Sequence, residues 1–464
     1  MPSVESVSVT RRVARHVASL SAATLPSDVR AAVPTCVLDF AGCALAARTL
    51  PWSRQAAAVS RGPQGAPSTI VGTPWRAMPA EAAFASAVTG HGLVQEDMHT
   101  ASGCHVGTVV IPAALALAQA ERAHGADVLA AIVAGYDAMA RLGRALRDPR
   151  IGATWRPSGL AGAFGAAAAC ARLLRLPEDV TVSALALGVN GACGVNEWPI
   201  AGGTEIFAHA GTAARLGVTA ALLAREGFVA SETALDGPAG LLAALGRREH
   251  AATVADALGA RWEILHVHFK PAPACNHVQT PVQVLRTMTG GARLAADDVE
   301  RVVLRTNPWA IAYPGCAHAG PFDALLQAKM SIPYALAAVL LRGDVDDAAF
   351  DAFDDPALAA VARRVVLEPD DAFTAAFPAR QGAEIRVRLR DGRTLHGRAD
   401  DLVRPTADDV RARWRRRALA AIGAAQADAF ERGADGLAGL GEVPGWVAGL
   451  AAGVGGDGRA DRGG

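Results

Sequence analysis

The residues able to carry chemistry gather in one stretch, His91-Gly-Leu-Val-Gln-Glu96-Asp97-Met-His99-Thr-Ala-Ser-Gly-Cys-His105-Val-Gly107. It holds three of the chain's 12 histidines and two carboxylates. Imidazoles and carboxylates held together exchange protons near neutral pH, although on a solvated loop the same residues would only cap the flanking helices. The donors would suffice for a metal, but their spacing matches neither HExxH nor a zinc ribbon, so no metal is expected.

Other segments add candidates. Trp155-Arg156-Pro157-Ser158-Gly159 precedes an Ala/Gly-rich run, where Arg156 beside a helix N-terminus suits a carboxylate, and where Ser158 would otherwise be a plain cap. His209-Ala210-Gly211 opens a further helix, with His209 either buried or facing a cleft. Lys270-Pro271-Ala-Pro273-Ala-Cys275-Asn276-His277 is a proline-stiffened loop at a proposed domain junction, a favoured place for small-molecule sites. Nothing in the sequence around Cys275 marks it as a nucleophile. Gln327-Ala-Lys329-Met-Ser331-Ile-Pro-Tyr334 carries one of three tyrosines. Lys270 and Lys329 are the only two lysines, so each is a candidate for a task that needs a compact ammonium rather than a planar guanidinium.

Two kinds of element must position these residues. Up to residue 268 the chain reads as alanine- and leucine-rich helices, among them Val29 to Ala47, Pro112 to Ala123, Ala126 to Leu146, Gly159 to Leu174, Val180 to Val189 and His209 to Glu226. Their small side chains predict close helix–helix approach. From 269 to 404 the texture changes. Strands are expected at 300–306, 363–367, 383–389 and 394–399, the last two joined by the Asp391-Gly392 turn, with helices at 281–289 and 322–341 between them. The fold class is therefore mainly α with a second α+β domain: a helical domain over 1–268, completed by 405–450 through a helix at 406–430, and a smaller mixed domain over 269–404. Residues 451–464 read as a disordered tail.

Composition narrows the function. With 51% hydrophobic and 19% charged residues and no net charge, the chain can bury a large core and lacks the basic face of a nucleic-acid binder. The first 20 residues contain no secretory h-region, and every apolar stretch is broken before the roughly 20 residues that cross a bilayer. A cytoplasmic protein with no membrane partner is expected. Its seven scattered cysteines read as reduced thiols.

In order and wording these segments resemble the MmgE/PrpD family, which includes 2-methylcitrate dehydratase, cis-aconitate decarboxylase and iminodisuccinate epimerase. The resemblance is carried by Asp97 with His105-x-Gly107 and Val-Ile-Pro-Ala-Ala-Leu-Ala, by Ala134-Gly135-Tyr136, Gly162-Ala-Phe-Gly165 and His209-x-Gly211, and by Lys270-Pro271 through His277 and Ser331-x-Pro-Tyr334. It implies a homodimer with an interdomain cleft, no metal or organic cofactor, and a small polycarboxylate as substrate. It places Asp97, His105, His277, Tyr334 and Lys270 at the family's site positions; with the other candidates, the expected roles are His105 as base or acid, Asp97 orienting it or sharing its proton, Tyr334 as a second proton donor, and Arg156, Lys270, His277, His209 and His99 binding substrate. The expected reaction is that of a lyase, dehydratase or decarboxylase in type, that removes a proton α to a carboxylate. An epimerase or a non-catalytic carboxylate binder are the alternatives. Three departures set this chain apart: Val94-Gln95-Glu96-Asp97-Met98 replaces Asp-Phe-Asp-Asp-Thr, Arg156 replaces a histidine, and Thr204-Glu205-Ile206-Phe207 lacks the family's lysine.

Overall fold

Alanine and glycine set the spacing of the helical domain. The computed structural model describes residues 7–452, so most of the expected tail, 453–464, lies outside the described residues. Helices Gly125–Ala145 and Pro157–Leu173 cross where both lack side chains. A methyl group on Gly135 would lie 2.5 Å from Val110 Cγ1, and one on Gly165 would collide with Met139. Around this pair pack Pro79–His91, Gly107–Ala120, Glu178–Val189 and Glu205–Arg225. Dense packing of small residues makes the interior rigid, which a site built from buried polar groups requires.

Two helices correct the reading that every apolar stretch is too short to span a bilayer. Ser27–Ala47 and Glu205–Arg225 are each 21 residues long and apolar enough by composition. More than half of each is buried against neighbouring parts of the fold. Asp39, in the middle of the first, pairs at 2.5 Å with Arg413 of the Ala407–Ile422 helix, an ion pair that a lipid-facing surface would not supply.

The second region is built on a four-stranded sheet in the order Val365–Pro369, Val299–Thr306, Ala383–Leu389, Thr394–Ala399. The first pair is parallel, with Val302 opposite Val365, and the others are antiparallel, with Val302 opposite Val387 and Val387 opposite Leu395. Two expected helices are each divided. The 322–341 stretch becomes Leu325–Met330 and Ile332–Arg342, because Ser331 Oγ accepts the Tyr334 N–H at 2.9 Å and starts a new helix. The 406–430 stretch breaks at Gly423, whose φ of 80° leaves the helical region, giving Ala407–Ile422 and Ala424–Asp435. Ala407–Ile422 packs back on Ser27–Ala47, so the segment after the sheet returns to the helical region.

Candidate active site

A cleft opens between the helical region and the 275–316 loops, lined by His105, Arg147 and Arg156 on one side and Cys275, His277 and Tyr313 on the other. Val94, in the turn at 93–97, also lines it. Val94 lies there with a φ of 59°, a left-handed conformation costing a non-glycine residue about 1–3 kcal/mol. The surrounding contacts hold it in place. Lys270 Nζ donates to the Val94 carbonyl and, at 3.4 Å, to that of Ala274. Lys329 Nζ donates to Pro273 at 3.0 Å and Leu93 at 3.3 Å. The two lysines are therefore buried ties between the same two loops, a task for which three spreading donors on a compact ammonium suit better than a planar fork.

Against the expectation that Lys270 binds substrate, two of its three N–H donors go to backbone carbonyls and it is not among the residues that line the cleft. Its charge still matters, because it acts on Glu96 and His105.

Glu96 is the centre of the buried polar cluster. Its Oε1 lies 2.5 Å from His91 Nδ1 and 2.7 Å from His105 Nδ1, the second approach being out of line for a hydrogen bond. Burial would raise this carboxyl, but His91, Lys270 and His105 together hold it well below the usual carboxylate range. An ionised Glu96 facing both Nδ1 atoms favours the tautomers protonated there. Arg156 supports the assignment for His91, because its Nη2 donates to Nε2 at 3.3 Å. In His105 the same tautomer leaves Nε2 with a free lone pair. Burial, and then the charge of Lys270, push the His105 pKa well below its ordinary value, so the ring stays neutral and able to accept a proton.

The donor atoms of His91, Glu96 and His105 lie within 4.8 Å of one another, close enough to consider a cation. The chemistry of the set opposes it. His91 accepts from Arg156 through Nε2 and so keeps its proton on Nδ1, and two fixed cations, Lys270 and Arg156, already stand against the cluster. A metal needs deprotonated donors and gains nothing from cationic neighbours.

Asp97 does not face His105. Its Oδ1 accepts the Gly107 N–H at 2.9 Å, at the start of Gly107–Ala120, and its Oδ2 accepts the Tyr136 hydroxyl at 2.7 Å. Burial and the neighbouring Asp39 raise its pKa to about 7 against these bonds. The expectation that Asp97 orients His105 thus gives way to Glu96, one residue earlier.

Tyr334 is also displaced from the expected role. It is fully buried, and its hydroxyl donates to the carbonyls of Ala349 at 2.6 Å and Ala352 at 3.3 Å. Tyr313 stands in the cleft instead. Its oxygen accepts from Arg156 Nη1 and Asn196 Nδ2, both at 3.2 Å, leaving its own proton without an acceptor among the described residues. We expect Tyr313→Phe to lower kcat by about ten- to a hundredfold and Tyr334→Phe to leave kcat within about twofold; steady-state kinetics of both variants check this.

The remaining expected residues divide. His277 lines the cleft with its ring 5.6 Å from that of Tyr313, its pKa pushed down to about 3 by burial and then by Arg147. His209 lies against Gly194 beside the Arg156 side chain, and burial with that charge lowers it to about 4. His99 faces Ser102 at 2.9 Å and Glu263 at 3.0 Å, within the helical region and outside the cleft.

Arg156 is buried, with its Nε unpartnered and its guanidinium 5.8 Å from the Trp198 ring. Arg147, which the sequence reading passed over, lies 4.7 Å from the Trp309 ring and 5.5 Å from that of Phe377. Neither guanidinium has a carboxylate within ion-pair distance among the described residues. Arg156 is buried and Arg147 half-buried; two such cations facing one cleft would suit an anion.

Comparison with known proteins places the chain in a family. Residues 11–253 match the MmgE/PrpD N-terminal domain and 272–429 the MmgE/PrpD C-terminal domain. The second match extends past residue 404 to take in the helix that packs on Ser27–Ala47. The chain is 28% identical over 448 residues to the cis-aconitate decarboxylase-like protein oryM of Aspergillus oryzae, covering 89% of this chain and 91% of that one. It is 24% identical to the cis-aconitate decarboxylase of Aspergillus terreus, covering 83% and 84%, and 29% identical to that of Homo sapiens, covering 72% and 70%. These relatives are lyases by name. With both family domains matched in order, the chain belongs to the MmgE/PrpD family.

Proposed function

We propose that the protein is a cofactor-independent lyase, of dehydratase or decarboxylase type, acting on a small di- or tricarboxylic acid. The observation that carries this reading is the pair of guanidiniums without carboxylate partners among the described residues, Arg147 and Arg156, in the same cleft as a neutral His105. Arg156 holds the substrate carboxylate whose α-carbon faces His105, and Arg147 a second one. His105 Nε2 takes the α-proton while the charge of Glu96, 2.7 Å from Nδ1, favours the proton on that nitrogen. The developing enediolate charge is met by Arg156 and the Tyr313 hydroxyl. Collapse of that charge expels the leaving group, which takes up a proton from His105 or Tyr313. In a decarboxylation carbon dioxide leaves first, and the carbon receives its proton from solvent through the same groups.

Epimerisation of a similar polycarboxylate is the second reading, favoured by the lost family aspartate and lysine at Val94 and in Thr204-Glu205-Ile206-Phe207. The seven free cysteines agree with a reducing, cytoplasmic setting, and the family resemblance supports a homodimer. No nucleic acid or membrane belongs to this reading.

A thermal-shift panel of citrate, 2-methylcitrate, cis- and trans-aconitate, malate, aspartate and iminodisuccinate tests the proposal, with each hit followed by NMR. We expect a tricarboxylate to stabilise the protein and be converted. Arg156→Ala should raise KM for it by about ten- to a hundredfold, the value of a charged hydrogen bond, and change that for a monocarboxylate much less. Equal effects on both would remove Arg156 from substrate binding, and stabilisation without conversion would favour a carboxylate-binding protein.

A further inference from the structure

Cys275 and Cys316 take no part in the chemistry above, yet their sulfurs lie 3.7 Å apart, in van der Waals contact. Both are buried, and Cys275 lines the cleft. Their approach is built in from both sides. The Cys275 N–H donates to the Lys329 carbonyl at 2.9 Å, and the Cys316 carbonyl accepts the Ile332 N–H at 3.0 Å, so both backbones hang on the single helix junction around Ser331. The two thiols are also unlike each other. Hydrogen bonds from Cys316 and the His277 N–H, with the charges of Lys270 and Arg156, hold Cys275 below its ordinary pKa, while burial raises Cys316. The other described cysteines with a resolved shift are all raised by burial.

We propose that Cys275 and Cys316 form a peroxide-responsive dithiol in the cleft wall, with Cys275 attacking and Cys316 resolving. The Cys275 thiolate attacks one oxygen of a hydroperoxide, the O–O bond breaks, and a sulfenic acid forms as hydroxide or alkoxide leaves and takes up a proton. The Cys316 sulfur then attacks the sulfenic sulfur, the S–O bond breaks, water leaves and a disulfide remains. Two thiols are oxidised by two electrons, and hydrogen peroxide is reduced to two waters.

The bond would draw together the loop that carries Asn276 and His277 and the loop that carries Tyr313, three residues before Cys316. Both loops line the cleft, so oxidation should close the site. In a reducing compartment such a bond is transient and reports the peroxide level.

Full-length protein is treated with stoichiometric hydrogen peroxide, alkylated, and digested without reduction for mass spectrometry. We expect two of the seven thiols to escape alkylation, one cross-linked peptide pair joining Cys275 to Cys316, and reversal by dithiothreitol. Turnover of the substrate found above should fall by about a hundredfold and return with reduction, since a shift of about 1 Å at a reacting group costs that much. Cys316→Ser should keep its basal turnover, form no cross-link, and yield a sulfenic acid at Cys275 that dimedone traps. Seven alkylatable thiols after peroxide, or a cross-link between other cysteines, would overturn the pairing. A Cys275–Cys316 cross-link that leaves turnover unchanged would overturn the switch. The cross-link itself needs no assay of turnover, so its failure and that of the lyase reading are seen separately.

Discussion

Replacing His105 with alanine should lower kcat by about 10²–10⁴-fold, the usual contribution of a positioned acid–base group, and shift Tm by no more than about 2 °C. Stability is spared because Glu96 keeps His91 at 2.5 Å and the charge of Lys270 when His105 is removed. The wild-type pH profile should carry the same signature. An ordinary histidine base would lose activity as pH falls through about 6.5. The His105 pKa is held well below that value by burial and Lys270, so its basic form persists and kcat/KM should stay level as pH falls through 6.5, declining only at lower pH. A large loss of Tm in the alanine variant would mark a core histidine, and a descending limb centred near pH 6.5 would show an exposed one.

The second large effect separates the two adjacent carboxylates. Asp97→Ala should destabilise the fold by about 2–4 kcal/mol, because it leaves two buried donors, the Gly107 N–H and the Tyr136 hydroxyl, without their acceptor. Asp97→Asn keeps one acceptor oxygen and the shape of the side chain, and its amide resembles the protonated form of a carboxyl raised to about 7. It should cost under about 1.5 kcal/mol and leave kcat within a few-fold. Glu96→Gln should do the reverse, lowering kcat while the protein stays folded, since an amide no longer enforces the Nδ1–H tautomer of His105. Denaturation midpoints and kinetics on the three variants check this. If Asp97→Asn abolished turnover with its stability intact, Asp97 would be the orienting group after all.

Much of the fold was legible because local signals and packing agree. The alternation of Ala383–Leu389 and the Asp391-Gly392 turn lead into Thr394–Ala399, and Gly392 takes the positive φ of 88° that this turn requires. The Ala/Gly run that predicts a helix from Gly159 to Leu174 with close neighbours forms Pro157–Leu173, packed tightly against Gly125–Ala145. What escaped the sequence depends on backbone twist and on distant partners. Glu96 and Asp97 are neighbours, and only the turn through left-handed Val94 sends one to His105 and the other to Gly107. Tyr334 sits in a recognisable motif, yet its hydroxyl meets carbonyls within and just after the next helix, Asp347–Asp351, whereas Tyr313 lies in a loop with no motif and reaches Arg156 across the cleft. The rarity of lysine drew notice to Lys270 and Lys329, but that both tie the 93–94 turn to the 273–274 loop could be read only from where those carbonyls stand. In the sequence Arg147 is one arginine among many; its aromatic seat, and the lack of a carboxylate beside it among the described residues, set it apart.

The most direct test of the central claim is NMR of cis-aconitate incubated with the protein in deuterated water, beside the His105→Ala variant. The lyase account expects the wild type to consume it, either releasing carbon dioxide and leaving a dicarboxylate with one solvent deuterium, or adding water across the double bond in the reverse of a dehydration, and the variant to do neither. Tight binding of cis-aconitate and the other polycarboxylates with no bond made or broken in any of them would contradict it.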